Sequence, residues 1–229
     1  MLRGWSPAQN RPPSGLPTAE RDGRDPADGF FRVFPDRGTD GKIDESRERY
    51  VDLMSERVAG PAGSAWIQLP DPDYERYWSR FDEKFEFRAG TTSKGWPAIR
   101  EPHPSVTFDL SVIPDGPRRG SAYDAINAEG LRAFVWALTD VAEMIALDWQ
   151  HPAYRFLPGV QALTCRGEWR VPICPDGDYY AFLTEDFTEG TFGHPWERTL
   201  CVMGDRLVGS LGRSLQTWLP VKRTNGTAL

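Results

Sequence analysis

A chain of 229 residues with a 39% apolar share has material for one sizeable core, and nine Trp, twelve Phe and seven Tyr make that core aromatic. Its 27 Lys and Arg stand against 33 Asp and Glu, a net charge of -6 that repels phosphate backbones and excludes nucleic acid as an expected partner. No apolar run approaches the roughly 18 residues of a membrane helix, and Met1 to Asn10 lack the apolar stretch of a secretory signal, so no membrane partner and a cytoplasmic compartment are the expectations.

From Met1 to about Ser64 the chain holds seven of its twenty Pro and eight of its twenty-two Gly among mixed charges. Such a stretch buries too little apolar surface to offset its ordering entropy, so residues 1–64 are expected to form a disordered leader. Ile43, Tyr50, Val51, Met54 and Val58 fall near helical spacing and predict a helix over 43–58 within it. Residues 65–229 carry eight of the nine Trp and are read as one domain.

Asp71 before Pro72 reads as a helix N-cap, and Tyr74, Tyr77, Trp78, Phe81 and Phe85 continue at helical spacing, which predicts a helix over 71–85. After Pro102 and Pro104, Val106, Phe108, Leu110 and Val112 alternate with polar residues, as in a strand with one buried face. Ile126, Leu131, Phe134, Val135 and Leu138 predict a helix over 123–139, and the short apolar run 144–149 a strand. Past the turn signal at Pro175, Asp176 and Gly177, residues 179–184 read as a strand with 198–203 as its partner, and 205–218 as a final helix that Pro220 ends. Turns too short for crossover helices make the later strands pair antiparallel. The expected fold class is α+β, a mainly antiparallel sheet with about three helices packed on it.

Each of the three histidines precedes a proline, which pushes His103, His151 and His194 onto extended or turn backbone. Were the three to meet, they would offer three nitrogen ligands, although their spacing matches no metal motif. Asp148, Trp149, Gln150, His151 and Tyr154 crowd the end of a predicted strand, where Asp148 is placed to orient His151 as a general base. No serine or cysteine sits in a nucleophile-elbow setting beside them. Asp176, Asp178, Tyr180, Glu185, Asp186, His194, Trp196 and Glu197 surround a predicted antiparallel pair, where acidic groups suit a hard cation but lack calcium-loop spacing. The structural alternative gives Asp176 to the turn and leaves Asp186 and Glu197 on a solvated face. Cys165, Cys174 and Cys201 fit neither a disulfide framework nor a metal clip and read as buried free thiols.

The stretches Asp148 to Tyr154, Pro175 to Tyr180, Glu185 to Phe187 and Gly190 to Glu197, with Trp96-Pro97 and Pro102 to Val106, resemble a bacterial family known as domain of unknown function 2716. The resemblance covers about residues 65–218. It implies one domain in a bacterial cytosol and brings no activity, cofactor or catalytic residue.

With no nucleophile, phosphate loop or metal motif, the expected function is a non-enzymatic binding module. Its acidic surface and aromatic rings suit a basic protein partner, as an antitoxin or immunity protein would have. No cofactor is assigned. The alternative is a hydrolase or transferase that uses Asp148 with His151, or His194, with or without a divalent metal.

Overall fold

The structure is a computed structural model that describes residues 64–164 and 169–228, all within one compact unit of the chain. The leader's residues 1–63, its helix at 43–58 and Cys165 lie outside the described residues.

Nine strands form one antiparallel sheet: β1 (Trp66–Gln68), β2 (Ser105–Asp109), β3 (Met144–Asp148), β4 (Tyr154–Phe156), β5 (Tyr180–Leu183), β6 (Gly190–His194), β7 (Thr199–Met203), β8 (Val221–Thr224) and β9 (Thr227–Ala228). Their order is β1-β4-β3-β5-β6-β7-β2-β8-β9. The described residues add four helices: α1 (Asp71–Phe85), α2 (Pro117–Ala137), α3 (Pro158–Thr164) and α4 over 205–215. Within α4, Val208–Gly212 is π-helical between two α-helical turns. None of the helices is long and apolar enough to cross a membrane.

Alternation along the strands feeds two cores. Val106, Phe108, Ala146, Phe182, Leu200 and Val202 face Phe134 of α2, Val160 of α3 and Leu211 of α4. Ile145, Leu147, Ala181, Leu183, Phe192 and Met203 face Tyr77, Phe81 and Phe85 of α1. Burying each of those three rings stabilises the fold by about 1.5–3 kcal/mol. Because both faces are covered, β2 is buried on both sides, not on one as its alternation suggests, and Val112 lies past its end, exposed.

Helix α1 occupies the predicted residues, but its N-cap is Pro70 and not Asp71, which sits with Asp73 in the first turn, where carboxylates complement the helix dipole. Helix α2 begins six residues before expectation because Pro117 suits a first helical turn. The fourth helix, α3, is too short to carry a periodic signal. The partner of β5 on this side is β6, not 199–203, which instead pairs with β6 and β2. Strand β6 escapes sequence patterning because its glycines disfavour strand, yet a Cβ at Gly190 would stand 2.2 Å from the carbonyl oxygen of Phe182. At the start of α4, the buried Glu189 carboxylate accepts the backbone N–H of Arg206 (3.1 Å) and of Leu207 (3.0 Å). Gly204, at φ +92°, makes room for it: a Cβ there would stand 2.2 Å from Glu189 Oε2.

The pairing gives the sheet two rims. Asp148 lies beside Tyr180, Tyr180 beside Gly193, and His194 and Asp109 beside Thr199, so one rim gathers these strand ends. The other gathers Ile145, Leu183, Gly190, Met203 and Ser105.

Candidate functional site

The first rim is built by a tight reversal after β3. The ladder runs one step further, with Trp149 N–H donating to the Tyr179 carbonyl (3.1 Å). Gln150 then takes φ 63°, and His151 N–H returns to the Asp148 carbonyl (3.3 Å). The turn folds His151 back over Asp148, leaving its Nδ1 3.1 Å from Asp148 Oδ1 and 3.6 Å from Asp178 Oδ2. Asp178 is held in place because its Oδ1 accepts the Tyr179 N–H at 2.8 Å. Asp176 stands nearby and accepts the Tyr180 hydroxyl at 2.9 Å.

Burial pushes the Asp148 carboxyl up to about 6; the hydrogen bond and charge of His151 oppose this, and the charges of Asp178 and Asp176 add to it. Burial raises Asp178 as well. The hydrogen bond that the His151 ring donates to Asp148, then the Asp148 charge, raise His151, whose ring is otherwise exposed. From α1, Tyr74 faces the same charges, and burial followed by the Asp148 charge keeps its hydroxyl protonated beyond the usual range. Among the described residues, the ion-pair partner of Asp148 and of Asp178 is His151, with no Lys or Arg.

One ligand atom from each of Asp148, His151 and Asp178 lies within 4.8 Å of the others. Adjacent ligands of an octahedral divalent ion stand about 3 Å apart when metal–oxygen bonds are about 2.1 Å, a spacing that His151 and Asp148 meet at 3.1 Å and His151 and Asp178 exceed at 3.6 Å.

The remaining candidates divide between this rim and elsewhere. Trp149, Tyr179 and Trp196 form a row of half-buried and buried rings beside the carboxylates, with centroids 5.6 and 4.9 Å apart. Gln150 is exposed in the turn, whereas Tyr154 faces the other core and meets Trp66 edge to face. The three histidines do not converge. His103 precedes β2 at the opposite rim and is exposed, because antiparallel pairing sends the start of β2 to the end of β7. His194 is buried under the rim.

Glu185 and Asp186 also belong to the opposite rim, since the β5–β6 turn carries them a strand's length away. Glu185 accepts the Tyr77 hydroxyl (2.7 Å), lies 3.6 Å from Arg80, and lines an open cleft of about 500 Å³ with Arg80, Asp186 and Arg206. The acidic groups around β5 and β6 therefore do not share one cation. Nor is Glu197 on a solvated face: it is buried, and its carboxylate is clasped by Arg223 (2.5 and 3.0 Å), which also donates to buried Glu101 (2.8 Å). Sequence reading missed this triad, because Arg223 lies beyond the last predicted element and nothing local ties it to Glu197, 26 positions before it, or to Glu101, 122 before it.

The family model described as "Protein of unknown function (DUF2716)" matches residues 68–208, a span that includes every rim residue named above. The chain is similar to the "Uncharacterized protein YxiI" of Bacillus subtilis (strain 168), 31% identical over 152 residues that cover 64% of this chain and 91% of that protein. No solved structure matches it.

Proposed function

The chain belongs to the DUF2716 family of proteins of unknown function, and on that premise we propose that it is a non-enzymatic binding module whose acidic rim receives a cationic group of a protein partner. The supporting observation is the half-buried Asp148 carboxyl, pushed up to about 6 beside Asp176 and Asp178 without a Lys or Arg to answer it among the described residues. A fold with no use for that charge gains stability by replacing it with an amide, so its presence marks a stability cost of the kind binding surfaces carry. The neighbouring Trp149 and Trp196 add ring faces that attract a guanidinium or ammonium. An antitoxin or immunity role toward a basic protein is the narrowest form of this proposal, set in a bacterial cytoplasm where the buried thiols Cys174 and Cys201 stay reduced.

Affinity capture from bacterial lysate with the full chain and with the D148N/D178N double variant tests it. The expected result is a basic protein retained by the first, lost with the second, and released by moderate salt. An identical set of captured proteins from both chains would sink the proposal.

A second reading, a metal-assisted hydrolase or transferase with His151 as base and Asp148 as its orienter, draws on the ligand spacing of Asp148, His151 and Asp178. Calorimetric titration with Mn²⁺ and Zn²⁺ separates the two: saturable binding abolished in D148N/D178N favours the enzyme, and occupancy below about one-tenth of an equivalent removes it.

A further inference from the structure

His194 ends β6 with 1% of its surface exposed. The backbone N–H of Glu197 reaches its Nδ1 at 3.1 Å. A backbone amide can only donate, so Nδ1 holds the lone pair and the ring proton resides on Nε2. Burial keeps the ring neutral, pushing its pKa down to about 4 against the opposing charge of Glu197. Nε2–H is therefore a donor at neutral pH, and it finds no acceptor among the described residues.

Trp96 stands edge to face with this ring, centroids 5.7 Å apart and planes at 82°. Its indole N–H is buried and likewise has no acceptor among the described residues. The arrangement is braced from the side. Tyr179 packs on His194 at 4.8 Å, and its hydroxyl both accepts the Gly90 N–H (2.9 Å) and donates to the Gly90 carbonyl (2.8 Å), which ties the segment leading to Trp96 onto the sheet. Orphaned buried donors are rare in folded proteins, and two in touching rings describe a position where an acceptor belongs.

We propose that His194 Nε2–H and Trp96 Nε1–H together receive one oxygen-bearing acceptor group, a carboxylate or a carbonyl of a small ligand. A carboxylate, with two oxygens about 2 Å apart, spans donors set on neighbouring rings; a carbonyl offers two lone pairs to the same donors. The side of the pair nearest solvent is formed by the half-exposed Trp96, Pro195 and Trp196, and the exposed stretch 91–95 precedes Trp96. This receptor is separate from the acidic group at Asp148, Asp178 and His151, and its polarity is opposite: it presents protons where that group presents carboxylates.

Nitrogen-15 NMR of the full chain tests it, with the His194 and Trp96 N–H signals assigned through H194Q and W96F. Sodium acetate probes the carboxylate and N-methylacetamide the carbonyl, each against equal sodium chloride. The expected result is that His194 carries its proton on Nε2 and that both signals move together along one saturable curve with at least one probe, the more effective probe naming the ligand class. W96F weakens that affinity about tenfold while His194 keeps its tautomer, as loss of one of two donors requires. A proton found on Nδ1, signals that follow sodium chloride equally, or N–H groups that stay in contact with water at saturating probe would each overturn the proposal. None of these readouts depends on the protein partner, so a failed partner search leaves them standing.

Discussion

Two groups of carboxylates sit a few strands apart on this sheet under opposite rules. Glu101 and Glu197 are buried almost completely, yet Arg223 donates to both, and Lys222 stands 3.5 Å from Glu197. Burial pushes the Glu197 carboxyl up, but the hydrogen bonds and charge of Arg223 outweigh it and leave it below its usual range. Asp148 and Asp178 are less buried and have only the exposed imidazole of His151 for an answer among the described residues, so both are pushed up. Where a charge serves the fold, the fold supplies its counterion. Where the counterion is wanting among the described residues, burial leaves the carboxyl above its usual range.

The comparison breaks most visibly at Arg223. R223M leaves two buried carboxylates facing one another and is expected to cost about 3–5 kcal/mol, measured as the shift of a urea unfolding midpoint. A loss below about 1 kcal/mol would mean the triad is not a structural unit.

His194 sharpens the contrast through pH. Its folded pKa of about 4 lies below the unfolded value near 6.5, so its contribution to stability is complete above pH 6.5 and is lost as pH falls toward 4. Roughly 2–3 kcal/mol should disappear across that window in the native chain, and H194Q should flatten the decline. Parallel stability profiles for the two chains between pH 4 and 7 would refute the assignment of a neutral buried ring.

The smallest effect carries the most information about the rim. Asp148 has a folded pKa of about 6 against 3.8, so its favourable contribution is present below pH 3.8 and lost as pH rises through 6. D148N is therefore expected to stabilise the chain by about 1 kcal/mol at pH 7.5, allowing for solvent screening, and by nothing at pH 3.5. Thermal unfolding at both pH values decides it. Destabilisation by D148N at pH 7.5 would place Asp148 with Glu197, as a carboxylate the fold needs.

Local pattern was enough for the elements that bury one long stripe or one apolar run. Tyr77, Phe81 and Phe85 set α1 to the residue, and Met144 to Leu147 marked β3. It was not enough for β1, β4, β6, β8, β9 or α3, which are short or, as Gly190 and Gly193 make β6, poor in side chains that favour a strand. Of the candidate site, Asp148 and His151 were legible together because a single turn joins them.

Sequence by itself determined an antiparallel α+β sheet, an aromatic core, and an acid–imidazole pair at the end of a strand, because apolar period, turn residues and near neighbours are local properties. Only the tertiary structure decided that Asp178 stands 3.6 Å from His151 while Glu185 and His103 stand at the far rim, and that Arg223 reaches back 122 positions to Glu101. The reason is register. A five-residue strand carries its two ends about 13 Å apart, so which side chains meet depends on which way each neighbour runs and where its hydrogen bonds begin, and no local window records that.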